Sequence, residues 1–325
     1  MKAVIPAAGL GSRFLPATKA QPKEMLPVVN KPAIQYIVEE ALVSGADEVV
    51  IVNSHDKASI EEQFSPNAKL VEHLRGVGKD KYADAVEAAG ELPVSYVYQE
   101  EPLGLGHAVH VAAQKTGDDM FMVMLGDVLV PDNGVCTKMV EVSNAHGGAS
   151  VIAVVPVADE EVSRFGIVGG EDLGDGVYKL ESMVEKPSLE EAPSNLAIFG
   201  RYLLSPVVMD LLAQTKPGAG GEIQLTDALV ALLDREDVYA LVIDPKDGFD
   251  TGTVPAWITA NVALAMRDPE IAAYLKESVG DLFAELQRCG GVRIFGAPSL
   301  LARLLRAPPS SGTARDFWHV APARH

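Results

Sequence analysis

Short, largely apolar runs alternate with helical stretches over the first 125 residues, and this alternation restricts the fold more than any other feature. Met1 to Pro6 (MKAVIP), Glu48 to Asn53 (EVVIVN), Val94 to Tyr98 and Met120 to Leu125 (MFMVML) read as strands. Runs this apolar suit a parallel sheet covered on both faces. Between them, Pro32 opens a helix reaching about Gly45, with Ile34, Ile37, Val38, Ala41 and Leu42 on one face. Ile60 to Gly90 is mainly helical and charged, and Leu105 to Lys115 is a third helical stretch. Strands alternating with helices make βαβ units and a mostly parallel sheet. Ligands on such sheets sit at the carboxyl ends of the strands. The loops after Pro6, Asn53, Tyr98 and Leu125 are therefore the expected ligand edge.

From Ala149 the texture changes. SVIAVVPV, FGIVGG and GVYKLESMVEK follow one another as strand-like runs with glycine turns. Helices return at Pro206 to Ala213 and Asp227 to Leu233, and Tyr239 to Ile243 reads as a strand. Thr253 has the character of an N-cap, with Pro255 in the first turn of a helix reaching about Arg267. Pro269 starts another, reaching about Gln287. Residues 286–325 hold six arginines, no lysine and one acid, and their Pro-Pro-Ser-Ser-Gly stretch predicts a flexible tail with no assigned fold. The expected division is a single domain over 1–285 followed by that tail. Its parts are a first half at about 1–148, a second half at about 149–252 and a helical arm at about 253–285.

Charge excludes several classes of function. With 27 basic against 45 acidic residues the net charge is −18, which repels nucleic acid and anionic membranes. Only the basic tail could support nucleic-acid binding, so neither nucleic acid nor membrane is an expected partner. A phosphate can still be held locally by backbone N–H groups and one or two cations. Two cysteines, Cys136 and Cys289, argue against a disulfide scaffold and against cysteine-rich zinc sites. The longest largely apolar run, Ala149 to Ala158, is about half a membrane span. The N-terminus runs straight into a glycine-rich turn, unlike a signal peptide. The expectation is a soluble protein of a reducing cytoplasm.

Four constellations could carry chemistry. Ala7-Ala8-Gly9-Leu10-Gly11-Ser12-Arg13 follows the first strand. Its glycines let the backbone approach a phosphate and aim N–H groups at it. It is not a dinucleotide fingerprint, because Phe14 stands where a third glycine belongs. Arg13 and Lys23, beside this turn in one long loop, fit a triphosphate held by amides and neutralised by side chains. In the second constellation, Gln99 can read a nucleobase edge through its paired donor and acceptor, and Gly104 lets backbone lie against a flat ring. Third, Asp127 ends an apolar strand and suits Mg²⁺, which takes one or two carboxylates plus phosphate oxygens and water; Asp250 is the obvious second carboxylate. Fourth, Glu185 can accept two sugar hydroxyls and Lys186 can pair with a sugar phosphate, while Gly166 and Asn195 read as turn signals. Each alone is equally a tight turn, a helix cap or a surface ion pair. Their order carries the information, with nucleotide features in the first half and sugar-phosphate features in the second.

The stretch Gly9-Leu10-Gly11-Ser12-Arg13-Phe14-Leu15-Pro16-Ala17-Thr18-Lys19-Ala20-Gln21-Pro22-Lys23-Glu24-Met25-Leu26-Pro27-Val28 closely resembles the bacterial UTP–glucose-1-phosphate uridylyltransferases (UDP-glucose pyrophosphorylases), a branch of the sugar-nucleotide pyrophosphorylase family. GLGHA (104–108), VEKP (184–187), PSNLA (193–197) and GEIQLTD (221–227) are similar to that branch in the same order, and the resemblance covers residues 1–285. The segment Phe249 to Thr253 looks more like the thymidylyl and guanylyl relatives.

The resemblance implies an α/β, Rossmann-like GT-A nucleotidyltransferase fold, a mixed and mostly parallel central sheet flanked by helices with a C-terminal helical extension. It implies Mg²⁺-dependent transfer of UMP from UTP to glucose 1-phosphate, giving UDP-glucose and pyrophosphate, in a homo-oligomer (dimer or tetramer). Arg13 and Lys23 would hold the triphosphate, and Ala8, Gly9, Leu10 and Gly11 would line the nucleotide. Gln99 and Gly104 would read uracil. Asp127 and Asp250 would bind Mg²⁺. Gly166, Glu185 and Asn195 would contact glucose, and Lys186 its phosphate. A thymidylyltransferase is the alternative enzyme, and a non-catalytic UDP-sugar-binding protein the remote one.

Overall fold

The computed structural model describes residues 1–132 and 134–288. The arginine-rich tail therefore lies, from residue 289, outside the described residues. Contacts divide the chain into two compact units, Met1–Leu264 and Ala265 onward. That boundary falls within the stretch expected as one helical arm.

The first unit is built on nine strands. They are β1 (Lys2–Pro6), β2 (Glu48–Asn53), β3 (Val94–Tyr98), β4 (Phe121–Met124), β5 (Ser150–Pro156), β6 (Gly166–Gly174), β7 (Val177–Glu185), β8 (Leu196–Leu204) and β9 (Val238–Val242). They form one sheet in the order β3-β2-β1-β4-β8-β5-β9-β7-β6. β1, β2, β3 and β4 pair in parallel, as the βαβ alternation predicts. β8 then enters antiparallel between β4 and β5, while β9 pairs in parallel with β5. β7 is antiparallel to both β9 and β6. Only β7 and β8 run against the rest, so the sheet is mixed and mostly parallel in direction.

Alternate residues of each central strand feed two cores. Ala3, Ile5, Val49, Ile51, Met122 and Met124 pack on one face, with the helix Ala33–Val43. Val4, Val50, Val52, Phe121 and Val123 pack on the other, with the helices Leu105–Val111, Val207–Gln214 and Leu225–Leu233. A side-chain period of two in an unbroken apolar run does this when both faces are covered. The two-residue strand Phe249–Asp250 pairs antiparallel with Val128–Leu129 beside the sheet. Thr253 caps the helix Val254–Ala265 as expected, its Oγ1 accepting from Ala256 N at 3.4 Å.

In the second unit, the helix Pro269–Arg288 is capped by Asp268, whose Oδ1 accepts from Glu270 N at 2.8 Å and from Ile271 N at 3.1 Å. Among the described residues no helix is long and apolar enough to cross a membrane.

Candidate active site

Three of the four loops expected at the ligand edge, those after Pro6, Tyr98 and Leu125, meet around one cavity of about 410 Å³, whereas the loop after Asn53 contributes no lining residue. After β1 the chain turns outward, with Gly11 at φ +63°. Ala8, Gly9, Leu10, Gly11 and Ser12 line the cavity, facing Lys23, Gln99, Gly104 and Asp127. Among the described residues no group accepts from the amides of Ala8, Gly9, Leu10 and Gly11. Consecutive unbonded N–H groups in a glycine turn form an anion-binding concavity.

Asp127 stands three residues after Met124, the last paired residue of β4, with Leu125 and Gly126 between them. Its Oδ2 accepts from Lys23 Nζ at 2.7 Å. Burial pushes the Asp127 carboxyl up, but the Lys23 ammonium and the backbone outweigh it and hold the group below its ordinary value. Burial pushes Lys23 down, but Asp127 and Glu24 outweigh it and hold the ammonium above its ordinary value. Thr251 fixes this loop from the other side: its N and Oγ1 donate to the Asp127 carbonyl at 2.6 and 2.9 Å. The pairing of Phe249–Asp250 with Val128–Leu129 brings in Asp250. A methyl group placed on Gly252 would stand 2.9 Å from Asp250 Oδ1, 3.2 Å from Asp127 Oδ2 and 3.5 Å from Arg13 Nη1. Two carboxylates and a guanidinium thus surround one point beside the glycine loop.

At the opposite end, Gln99 Nε2 donates to the Gly104 carbonyl at 3.2 Å and lies 2.9 Å from His107 Nδ1. Gly104 has φ +107°, and a side chain there would meet Ile223 O at 2.7 Å. The GLGHA and GEIQLTD segments are therefore two sides of one contact, closed by Gly106 N to Ile223 O at 2.8 Å and Ile223 N to Leu103 O at 2.7 Å.

A second cavity, about 160 Å³, shares Leu105 and Leu125 with the first. Gly166, Glu185 and Thr226 line it. Glu185 Oε2 accepts from Thr226 Oγ1 at 2.7 Å, and a methyl on Gly166 would lie 3.1 Å from the same oxygen. Lys186 is not in this lining; it is exposed, at φ +48°, with Nζ 3.5 Å from Glu185 Oε1. Asn195 is not in it either: it is exposed and exchanges hydrogen bonds with Val157, Nδ2 donating to Val157 O at 3.2 Å.

Several supporting residues escaped sequence reasoning. Lys57, in the loop after β2, is buried and donates to Ala7 O, Gly9 O and Glu24 Oε2. Arg201, fully buried in β8, donates to Glu40 Oε1 and Oε2 at 3.0 and 2.7 Å, to Val128 O at 2.7 Å and to Leu125 O at 3.3 Å. It thus grips both ends of the turn that carries Asp127. The signal for Arg201 was a charged residue inside the apolar run LAIFGRYLL. For Lys57 it was only its place in a ligand-edge loop.

Residues 2–267 match the nucleotidyl transferase family. The chain belongs to that family. Among the uridylyltransferases of the family, the UTP–glucose-1-phosphate uridylyltransferase YngB of Bacillus subtilis is 42% identical over 283 residues, covering 86% of this chain and 95% of its own. The UTP-bound UDP-glucose pyrophosphorylase structure from Acinetobacter baumannii superposes with a TM-score of 0.79 at 38% identity, over 86% of this chain and 99% of that one. A UDP-glucose pyrophosphorylase complexed with UDP-glucose superposes with a TM-score of 0.74 at 39% identity, over 82% and 99% of the two chains. This nucleotidyl transferase therefore matches these relatives along nearly their whole length.

Proposed function

We propose that the protein transfers UMP from UTP to glucose 1-phosphate, giving UDP-glucose and pyrophosphate. The observation that carries the reading is the convergence of Lys23, Arg13, Asp127 and Asp250 beside the unbonded amides of the glycine loop. The relatives named above support it through the substrates in their names and complexes.

An oxygen of the sugar phosphate attacks the α-phosphorus of the nucleotide in line, and pyrophosphate leaves. The nucleophile is already an anion, so no side chain has to remove a proton. The work is positioning and charge neutralisation. The amides of Ala8 to Gly11 bind the phosphates. Arg13 and Lys23 offset the negative charge that builds on the departing pyrophosphate. Gln99 and Gly104 receive the base at the far end of the cavity. Gly166 leaves room for the sugar, and Glu185 accepts from its hydroxyls. Lys186 and Asn195, both outside the second cavity as it stands, would have to approach the sugar phosphate from its rim.

Asp127 and Asp250 fit a divalent cation. Among the described residues no group of three or more histidine, cysteine, aspartate or glutamate side chains forms a closed metal cage. Two carboxylates facing one point suit Mg²⁺, which completes its shell with phosphate oxygens and water. Bound there, the ion would supply charge neutralisation between the two phosphate groups. The same proposal includes a nucleotide half and a sugar-phosphate half within one domain, a cytoplasmic location and a homo-oligomer. Exposed Val254, Ile258 and Val262, spaced every four residues along one helix, support self-association.

The test is pyrophosphate release with Mg²⁺ and glucose 1-phosphate, comparing UTP, dTTP, GTP, ATP and CTP. Strong preference for UTP is the expected result. Preference for dTTP would move the protein to the thymidylyl reading that Phe249 to Thr253 suggests. A folded protein that released none from any nucleotide would refute catalysis in favour of a sugar-nucleotide-binding role.

A further inference from the structure

The glycine loop does not shape itself. Its carbonyls at positions 7, 9 and 11 are all bonded toward the protein. Lys57 Nζ donates to Ala7 O at 2.5 Å and to Gly9 O at 2.6 Å, while Gly11 O accepts from Thr18 Oγ1 at 2.8 Å and from Phe14 N at 3.1 Å. In a planar trans peptide the C=O of one residue and the N–H of the next point in opposite directions. Fixing these three carbonyls inward therefore turns the N–H groups of Ala8, Leu10 and Ser12 outward. All three residues line the larger cavity.

We propose that Lys57 is the positioning residue of the phosphate cradle: by holding the Ala7 and Gly9 carbonyls it presets the amides that bind the nucleotide's triphosphate. The inference rests on the nucleotide reading of that cavity. Lys57 is itself buried, and its third proton goes to Glu24 Oε2 at 3.1 Å. It therefore cannot touch the nucleotide and acts through the loop. Glu24 adjoins Lys23, so one buried ion pair ties the glycine loop to the segment that carries the cation on Asp127. The charge of Lys57, beneath the carbonyl side of the loop, also favours an anion on the amide side.

The test compares Lys57→Met with the double variant Lys57→Met/Glu24→Gln. The single variant leaves the buried Glu24 carboxylate without its cation and can fail to fold for that reason alone. The double variant removes that charge and carries the test if the single one unfolds. UTP affinity is measured by calorimetry without glucose 1-phosphate, beside steady-state KM values for both substrates and the thermal midpoint. The expected result is UTP binding weakened by about 10–100-fold, the range for hydrogen bonds to a charged ligand that are no longer preset. The KM for glucose 1-phosphate should stay within about twofold of wild type, since no residue of the glycine loop lines its cavity. A folded double variant that binds UTP within about twofold of wild type would overturn the proposal. So would an equal rise in both KM values, which marks a merely structural role. Failure of the nucleotide reading is separate, because it shows as a wild-type protein that binds no UTP. In that case inorganic pyrophosphate is titrated into wild type and double variant, and equal affinities overturn the role of Lys57 in presetting the amides.

Discussion

Replacing Arg201 should separate stability from catalysis. The guanidinium is fully buried and bonded to both oxygens of Glu40, to Leu125 O and to Val128 O. Arg201→Met leaves the Glu40 carboxylate buried without a cation. Breaking a buried pair in this way costs about 3–5 kcal/mol. At about 2–4 °C per kcal/mol for a domain of this size, the thermal midpoint should fall by about 6–20 °C. The double variant Arg201→Met/Glu40→Met removes both charges, and such apolar replacements are often neutral or stabilising by about 1–4 kcal/mol. Most of the lost stability should therefore return. Activity should not. The Leu125 and Val128 carbonyls, which frame Asp127, remain without their anchor, and a carboxylate that drifts by about 1 Å can lose about 10²-fold in rate. The assay is a thermal melt beside pyrophosphate release for wild type, single and double variants. A double variant with wild-type melting and wild-type kcat would refute the reasoning, showing that Thr251 and the ladder to Asp250 hold Asp127 unaided.

Lys23→Ala and Asp127→Ala should each lower kcat by about 10²–10³-fold or more in the pyrophosphate assay, because each removes one preset electrostatic contact. The depressed Asp127 carboxyl contributes stability that is present above the unfolded carboxylate value of about 4 and lost as pH falls through the folded value; Lys23→Met removes the main source of that depression and leaves the burial penalty, so urea titrations should show the variant less stable than wild type at neutral pH and the gap closing as pH falls below about 4. Gly166→Ala would put a methyl 3.0 Å from Ile198 Cδ1 and 3.1 Å from Glu185 Oε2, and should raise the KM for glucose 1-phosphate while leaving that for UTP nearly unchanged. With Gln99 Nε2 engaged by Gly104 O and His107, its Oε1 is the atom left to accept from a base; His107→Leu frees the amide to turn, and the ratio of UTP to CTP use should fall.

The first half of the fold was legible because each central strand is apolar on alternate sides with both sides covered, which leaves a long unbroken run in the sequence. β2 and β3 stand at the residues the sequence marks. β8 was not legible. It contains Gly200, at φ +73°, and Arg201, both of which weaken a strand pattern, and the ladder to β5 is irregular between Ile198 and Tyr202. Its reversed entry into the middle of the sheet is a long-range pairing that no local period encodes. The motif residues Lys23, Asp127, Gln99 and Glu185 were visible because their neighbours form recognisable segments. Their mutual placement was not.

The sequence by itself determined the βαβ half, the ligand-edge loops and the residue types able to meet phosphate, metal, base and sugar, because strand period, glycine turns and carboxylate positions are local properties. Only the tertiary structure decided which of these groups share a cavity, that Lys186 and Asn195 stand outside it, and that Lys57, Arg201 and Glu40 hold the site from beneath. Those three act through buried contacts 33 to 161 residues apart in the chain. A buried charge declares its partner by distance in space, and the sequence records no such distance.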